Sequence, residues 1–233
     1  MKATVLIPAA GAGRRMGGAI SKQYLELAGK PILAHTLTLF ENHPQIENIY
    51  PIVPANDIAY CQQHIIDRYG FNKVHRIIAG GAERQDSVRN GLRALAEDGF
   101  NQPHRTILIH DGARPLFDCK LLSALIEVVE KSGACTIGVP VKDTIKDVEN
   151  STITGSPDRD RLWQAQTPQG FQYHFIKEAF DQADADGFIA TDDASLLERL
   201  GHPVQMLEGD YRNIKVTTPE DILVAIALLG DAK

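Results

Sequence analysis

Three cationic residues lie close together near the start of the chain, in a segment rich in glycine. Arg14 and Arg15 follow Gly11 and Gly13, and Lys22 comes shortly after them. Glycine lets backbone N–H groups approach the oxygen atoms of a ligand, because no Cβ stands between them. Cations set into such a loop indicate a polyanionic ligand whose charge changes during a reaction. The segment therefore predicts a phosphate site.

The spacing of this loop differs from that of two common phosphate loops. A P-loop requires G-x₄-G-K-[ST], but Gly18 is not followed by a lysine and a hydroxyl residue. A dinucleotide fingerprint requires a third glycine where Met16 stands, and the next predicted strand ends without an acid for a ribose. A P-loop NTPase is thus disfavoured. An NADP-dependent oxidoreductase, with Arg14 or Arg15 on a 2′-phosphate, stays as a weaker alternative.

Strand and helix patterns alternate around this loop. Residues 5–7 predict a strand before it, and residues 31–40 predict a helix after it. The alternation continues and predicts an α/β fold, with a doubly wound, mostly parallel, Rossmann-like sheet. Further strands are predicted at residues 46–53, 74–79, 106–110 and 135–141, and helices at 56–69, at 88–98 and after an N-cap at Asp118.

The pattern changes between residues 142 and 166, where polar, β-prone segments predict a hairpin. This insertion is too small for a second core, so we expect one domain over residues 1–233, with a β-arm that packs on a partner subunit. Beyond it, the sequence predicts helices at 174–185 and 192–200, strands at 204–207 and 214–216, and a last helix capped by Thr218.

The composition limits the partners and the compartment. A net charge of −6 argues against non-specific nucleic-acid binding, which needs a broad basic face. The apolar runs are too short to cross a bilayer. Three widely spaced cysteines match neither a disulfide framework nor a zinc site. We therefore expect a cytoplasmic protein with neither a nucleic-acid nor a membrane partner.

Seven motifs together resemble one enzyme family. In chain order they are Pro8-Ala-Ala-Gly-x-Gly-x-Arg15-Met, Lys22-Gln-Tyr, Gly80-Gly-x-x-Arg84-x-x-Ser87-Val, His110-Asp-Gly-Ala-Arg-Pro, Asp143-Thr-Ile-Lys, Thr167-Pro-Gln and Asn213-Ile-Lys-Val. The set is similar to the 2-C-methyl-D-erythritol 4-phosphate cytidylyltransferases, whereas the first loop alone indicates only the wider nucleotidyltransferase superfamily. Ribitol-5-phosphate cytidylyltransferases share most of the motifs, so the acceptor polyol stays open.

The resemblance implies that CTP reacts with 2-C-methyl-D-erythritol 4-phosphate to give pyrophosphate and CDP-methylerythritol, in isoprenoid precursor biosynthesis. An acceptor phosphate is already largely dianionic at neutral pH, so no general base is required. The reaction needs in-line positioning and neutralisation of charge at the α-phosphorus. Arg15 and Lys22 are the catalytic candidates. Mg²⁺ is expected, held mainly by phosphates, with Asp111 as a candidate protein ligand.

The resemblance also assigns binding residues. Those expected to contact the nucleotide are Pro8, Ala9, Ala10, Gly11, Gly13, Gly81, Ser87, Asp111 and Gly112. Those expected to contact the acceptor are Lys215, Arg114 and Thr167, together with Thr144 and Arg159 of the neighbouring subunit, which makes a homodimer a functional requirement. A non-catalytic nucleotide-binding regulator on the same fold is the alternative, and the intact Arg15, Lys22 and Lys215 speak against it.

Overall fold

The computed structural model of the chain describes residues 2–11 and 21–230. Its strands, numbered in chain order, are β1 (Ala3–Pro8), β2 (Glu26–Leu27), β3 (Lys30–Pro31), β4 (Ile46–Val53), β5 (Ile78–Ala79), β6 (Thr106–Ile109), β7 (Ala134–Pro140), β8 (Asp147–Glu149), β9 (Thr152–Gly155), β10 (Trp163–Gln172) and β11 (Gln205–Glu208). Its α-helices are α1 (Ile32–Glu41), α2 (Ile58–Cys61, continued by a π-helical segment, Gln62–Asp67), α3 (Arg84–Glu97), α4 (Leu121–Ser132), α5 (Tyr173–Asp186), α6 (Asp193–Arg199) and α7 (Pro219–Gly230).

A seven-stranded sheet carries the functional region. Its strand order is β11-β7-β10-β6-β1-β4-β5. Every neighbouring pair is parallel except those of β10, which runs antiparallel to both β6 and β7. From β1 the chain builds β4 and β5 on one side and β6 on the other. The carboxyl ends of β1 and β6 therefore flank a topological switch point, where α/β sheets hold ligands.

Helices cover both faces of the sheet, as the alternation of side chains along β1 requires. Val5 and Ile7 face a core cluster that includes α1 and α4, whereas Leu6 faces a second cluster that includes α3, α5 and α6. All three side chains are fully buried. The predicted doubly wound, mostly parallel α/β fold is confirmed. No helix in the described residues is long and apolar enough to span a bilayer.

Most predicted elements are present, with shifts that have local causes. The strand predicted at residues 46–53 is present with these bounds as β4. The strand β6 is buried along its whole length, as a central strand should be. The third predicted strand is shorter than expected, because only Ile78 and Ala79 pair in the ladder while Val74 makes one isolated bridge to Ile49.

Two local predictions are wrong. Asp118 does not cap α4: its carboxylate accepts from the N–H of Lys120 in a preceding turn, and the helix begins at Leu121. Residues 214–216 are not a strand. The N–H of Val216 donates to the carbonyl of Ala113, but the segment forms no ladder with a neighbouring strand.

The predicted hairpin is present as β8 and β9, which pair antiparallel with each other in a sheet of their own. Its side chains are exposed almost throughout, among them Val148 and Ile153. The strand β10 begins at Trp163, so residues 163–166 of the predicted insertion belong to the central sheet. The arm is correspondingly shorter at that end.

Candidate active site

A cavity of about 700 Å³ opens at the carboxyl ends of β1 and β6, beside the turn that follows β5. It brings together predicted site residues that lie far apart in sequence: Pro8, Ala9, Ala10, Gly11, Lys22, Gly81, Ser87, Asp111, Gly112 and Lys215. Gly13 and Arg15 lie outside the described residues. The remaining candidates, Arg114, Thr144, Arg159 and Thr167, do not line this cavity.

Asp111 lies at the centre of a cluster of cations. One of its oxygens, Oδ1, accepts from Arg84 Nε at 3.1 Å. The other, Oδ2, lies 2.9 Å from Lys215 Nζ and 3.5 Å from Arg114 Nε. Burial alone would raise the pKa of this carboxyl, but Arg84, Lys215 and Arg114 outweigh burial and hold the pKa well below its usual range. Asp111 is therefore an anion at any physiological pH.

A backbone hydrogen bond to strand β10 holds Asp111 in place, in addition to its ion pairs. Its backbone N–H donates to Thr167 Oγ1 at 3.1 Å, across from β10. Thr167 lies where the pairing of β10 with β7 shifts register, between Gln166 and Gln169. The predicted role of Thr167 in acceptor binding stays a prediction, but its hydroxyl already has two protein partners, Asp111 and His110.

The buried ring of His110 completes this hydrogen-bond chain. Its Nε2 lies 3.0 Å from the carbonyl of Arg114, which can only accept, so Nε2 carries the proton. Its Nδ1 then accepts from the Thr167 hydroxyl at 3.1 Å. Burial lowers the pKa of His110 to about 4. The ring is thus a neutral structural element rather than a proton donor to substrate.

The turn after β5 forms the opposite wall. Gly81 N–H donates to Ser87 Oγ at 3.1 Å, and that hydroxyl donates to the Glu83 carbonyl at 3.1 Å. Glu83 and Asp86 form a reciprocal capping box at the start of α3. A Cβ on Gly81 would lie 2.2 Å from Asp86 Cβ, so only glycine fits this turn without movement. The turn presents its backbone to the cavity at close range.

Lys22 enters the cavity from a short 3₁₀ turn, Lys22–Tyr24, that follows the glycine-rich segment. Both flanks of this lysine are tied to the start of α2. Asp57 Oδ2 accepts from Ser21 Oγ at 3.3 Å and from Gln23 Nε2 at 3.4 Å. The turn therefore places Lys22 on the same cavity as Asp111 and Lys215.

Two of the acceptor-binding candidates belong to the arm. Thr144 and Arg159 are exposed, and Arg159 Nη1 donates to the carbonyl of Lys142 at 3.0 Å. Arg114 lies inside the protein instead, where Nη1 donates to the Asn213 carbonyl at 2.7 Å. Burial lowers the pKa of this guanidinium, and Asp111 opposes that effect.

The structure adds residues that the sequence patterns left without a role. Arg84 lies in a recognised motif, but the patterns did not show that it joins Asp111 to Asp193. Those two contacts span 27 and 109 residues of sequence. Gln169 and Asn213 are likewise buried polar anchors, within two other motifs. Their position in the motifs was the only signal available, because each partner is set by the tertiary fold.

The donor set limits how a metal ion can be held. Among the described residues there is no group of three or more histidine, cysteine, aspartate or glutamate side chains that could hold a metal. Asp111 and Glu83 are the carboxylates among the residues that line the cavity. A cation that relies on one carboxylate and on substrate phosphates fits this arrangement.

Comparisons of the sequence with known proteins find matches that cover nearly the whole chain. The family model for 2-C-methyl-D-erythritol 4-phosphate cytidylyltransferase matches residues 3–231. A relative of that name from Geotalea uraniireducens is 52% identical over 229 residues, covering 98% of this chain and 97% of the relative. Another from Geobacter metallireducens is 49% identical over 231 residues, covering 99% of both chains.

A solved structure extends the match to three dimensions. The 4-diphosphocytidyl-2C-methyl-D-erythritol synthase from Anaerococcus prevotii superposes with a TM-score of 0.84 at 30% identity, covering 98% of this chain and 96% of that one. The family model, the relatives and the superposition each extend over nearly the whole chain. This chain belongs to the family of 2-C-methyl-D-erythritol 4-phosphate cytidylyltransferases, which are nucleotidyltransferase enzymes.

Proposed function

We propose that this chain transfers the cytidylyl group of CTP to 2-C-methyl-D-erythritol 4-phosphate, in isoprenoid precursor biosynthesis. An acceptor phosphate oxygen forms a bond to the α-phosphorus, the bond from that phosphorus to the β-phosphate oxygen breaks, and pyrophosphate leaves. The observation that carries the proposal is a cavity that unites residues 8–11, at the start of the glycine-rich segment, with the Gly81 turn and the cations Lys22 and Lys215 around Asp111.

The nucleotide is proposed to lie along the glycine-rich segment, with its base against Gly81 and Ser87. The N–H of Ala9 donates to the Ile52 carbonyl at 2.7 Å, so backbone donors to the triphosphate begin at Ala10 rather than Ala9. Arg15 and Lys22 are proposed to stabilise the negative charge that develops around the α-phosphorus. Preorganised donors of this kind act most strongly in the transition state.

The acceptor phosphate is proposed to bind Lys215 of its own subunit and the arm of a second subunit. The chain would then be one nucleotidyltransferase domain whose arm completes a neighbouring site in a homodimer. Thr144 and Arg159 support this proposal, because they are exposed on the arm and do not line the cavity of their own chain. Arginine suits a bidentate phosphate contact and lysine a point contact.

A magnesium ion is the proposed cofactor, held by substrate phosphates and by Asp111. When bound, it supplies neutralisation of the phosphate charge. The contribution of the chain is an ionised carboxylate at the cavity wall, kept in that state by neighbouring cations. His110 is buried and its pKa is lowered, so it is not proposed as a general base.

The proposed location is the cytoplasm. Cys61, Cys119 and Cys135 are free thiols, which a reducing compartment preserves. Burial raises the pKa of each thiol, so they are poor nucleophiles and take no part in the proposed reaction.

The function is tested by measuring pyrophosphate release with each of the four NTPs, against 2-C-methyl-D-erythritol 4-phosphate and ribitol 5-phosphate in parallel. We expect release with CTP and the first acceptor only. Release with ribitol 5-phosphate alone would establish the alternative acceptor. Binding of CTP without release would establish a regulator, and no response to any NTP would reopen the oxidoreductase.

The role of Lys22 is tested by Lys22→Ala. Because its ammonium group is proposed to act on the transition state, turnover at saturating CTP should fall by roughly 10²–10³-fold. Lys131→Ala is the matched control, since Lys131 is exposed on α4 and pairs with Glu127 away from the cavity. Near-normal turnover of Lys22→Ala would exclude the assigned role.

A further inference from the structure

Arg84 joins two carboxylates that are distant from each other in sequence, Asp111 and Asp193. Its Nη1 and Nη2 contact Asp193 Oδ1 and Oδ2 at 3.0 and 2.7 Å, a bidentate pair. Its Nε donates to Asp111 Oδ1 at 3.1 Å. All three nitrogens of the guanidinium are therefore used, and two of them go to a residue outside the cavity lining.

Asp193 is a rigid anchor for this guanidinium. Its side chain is only 2% exposed, and it is the first residue of α6. Gln169 Oε1 accepts from the N–H groups of Asp193 and Ala194 at 3.0 and 3.1 Å. Gln169 Nε2 in turn donates to Asp192 Oδ2 at 2.7 Å and to Thr136 Oγ1 at 2.9 Å. The start of α6 is thereby fixed to β7 and β10.

Lys215 contacts Asp111 differently from Arg84. Its side chain is 40% exposed, against 30% for that of Arg84, and its ammonium makes a point contact with the other oxygen of Asp111, Oδ2, at 2.9 Å. A lysine on a flexible stem can exchange one anion for another, whereas a bidentate guanidinium is held in a fixed geometry. The two oxygens of Asp111 thus face one fixed cation and one exchangeable cation.

We infer that Arg84 is a positioning residue. Locked by Asp193, it fixes Asp111 through Oδ1, so that Lys215 can leave Oδ2 for the acceptor phosphate while Asp111 keeps its charge and orientation toward the bound nucleotide. The inference rests on the proposed function, because it is the transfer reaction that requires Lys215 to change partner. It assigns a role to the chain of contacts that runs from Gln169 through Asp193 and Arg84 to Asp111 at the cavity.

The test compares Arg84→Lys, Arg84→Ala and Asp193→Asn with the wild type. A lysine keeps the charge but cannot contact both carboxylates in the fork geometry. We expect each variant to lose roughly 10–100-fold in kcat, with KM for CTP changed by less than about threefold, because misplacement of a supporting group costs activity on this scale. Arg93→Ala, exposed on the same helix, should keep wild-type kcat.

Two readouts separate positioning from a general loss of structure. Guanidinium ion, added at low millimolar concentration, should restore part of the kcat of Arg84→Ala but none of that of Arg84→Lys, whose side chain fills the space. The double variant Arg84→Lys/Asp193→Asn should lose no more than the worse single variant, because both act through one chain of contacts. The circular dichroism of the variants should match the wild type at the assay temperature.

The outcomes are distinct. If the wild type releases pyrophosphate from CTP and Arg84→Lys keeps its kcat, the inference is overturned and the proposed function stands. Additive losses in the double variant, or a rise in KM with kcat unchanged, would also overturn it. If the wild type releases no pyrophosphate with any NTP, the proposed function fails first and the inference falls with it.

Discussion

His110 shows how one buried side chain sets the geometry of its neighbour. The ring accepts from Thr167 and donates to the Arg114 carbonyl, and Thr167 accepts from the N–H of Asp111. Each donor in this chain has one acceptor, so the tautomer of the ring follows from the contacts. Protonation of His110 would place a second proton against the Thr167 hydroxyl and a charge in a fully buried position.

The buried state of His110 predicts a loss of stability in acid. Burial lowers the pKa of the ring in the folded state from 6.5 to about 4. Above pH 6.5 both folded and unfolded chains carry a neutral ring, so the group has no effect there. Below it the unfolded chain gains a proton first, and the free energy of unfolding should fall by up to about 3 kcal/mol between pH 6.5 and 4.

The measurement is urea unfolding of the wild type and of His110→Gln between pH 7.5 and 4.5. Glutamine keeps a donor and an acceptor but cannot titrate, so the variant should be less stable at pH 7.5 and lose less stability in acid. His64→Gln, at an exposed position, is the control and should run parallel to the wild type. Parallel curves for wild type and His110→Gln would contradict the prediction.

Among the elements, the turn between β5 and α3 depends most on the absence of a side chain. Gly81 faces Asp86, whose carboxylate accepts from the N–H of Glu83 in the capping box. We expect Gly81→Ala to shift the turn, weaken its bond to Ser87 and lower stability by roughly 1–3 kcal/mol, the usual cost of overpacking. Because the turn lines the nucleotide cavity, KM for CTP should also rise.

Steady-state kinetics and thermal unfolding of Gly81→Ala test this prediction. Gly230→Ala is the matched control, since a Cβ there would meet nothing within 4 Å. An unchanged KM for CTP together with unchanged stability would show that the turn can move without consequence. A loss of stability alone would leave the turn structural and remove it from the nucleotide site.

The elements also show where sequence patterns suffice and where they do not. The apolar periodicities predicted the buried faces of α1, α3 and α4, because those faces follow from local spacing. The strand β10 was not predicted, because its glutamine-rich sequence lacks the apolar pattern that indicates a strand. Gln166 and Gln169 are buried, and each side-chain amide has partners that only the tertiary fold supplies: Asp210 and Asn213 for Gln166, and Thr136 and Asp193 for Gln169.

The same distinction holds within the site. Glycine and cation spacing predicted the loops that line the cavity, because close backbone approach to an anion has a local signature. The contact between Arg84 and Asp193 spans 109 residues and has none. Local patterns therefore predicted a phosphate-binding loop, and the resemblance to a family assigned the residues proposed to contact the nucleotide, whereas the supporting contacts behind them required the fold.

In the whole molecule, the arm formed by β8 and β9 exposes apolar side chains that its own chain does not cover. A two-stranded hairpin is marginally stable by itself in water, and here β8 and β9 expose apolar residues, with Val148 56% and Ile153 61% exposed. A second subunit would cover such residues and, by the proposed function, receive Arg159. The cavity of one chain would then be completed by the arm of another.

If two subunits share each site, two inactive variants should complement each other in a mixed dimer. Lys22→Ala removes a group of the chain's own cavity, and Arg159→Ala removes a group given to the partner. In a mixed dimer one cavity lacks both groups and the other has both intact. Random pairing makes half of the dimers mixed, and each has one competent site of two, so activity should recover to roughly a quarter of the wild type.

Co-expression of the two variants, followed by pyrophosphate release from CTP, measures this recovery. The control pairs Lys22→Ala with Lys215→Ala, because both residues line the cavity of their own chain and every mixed dimer then lacks one of them in each site. That mixture should stay inactive. Dimers of Lys22→Ala and Arg159→Ala that form but stay equally inactive would show that Arg159 serves its own chain, and the arm would keep only a packing role in the partner.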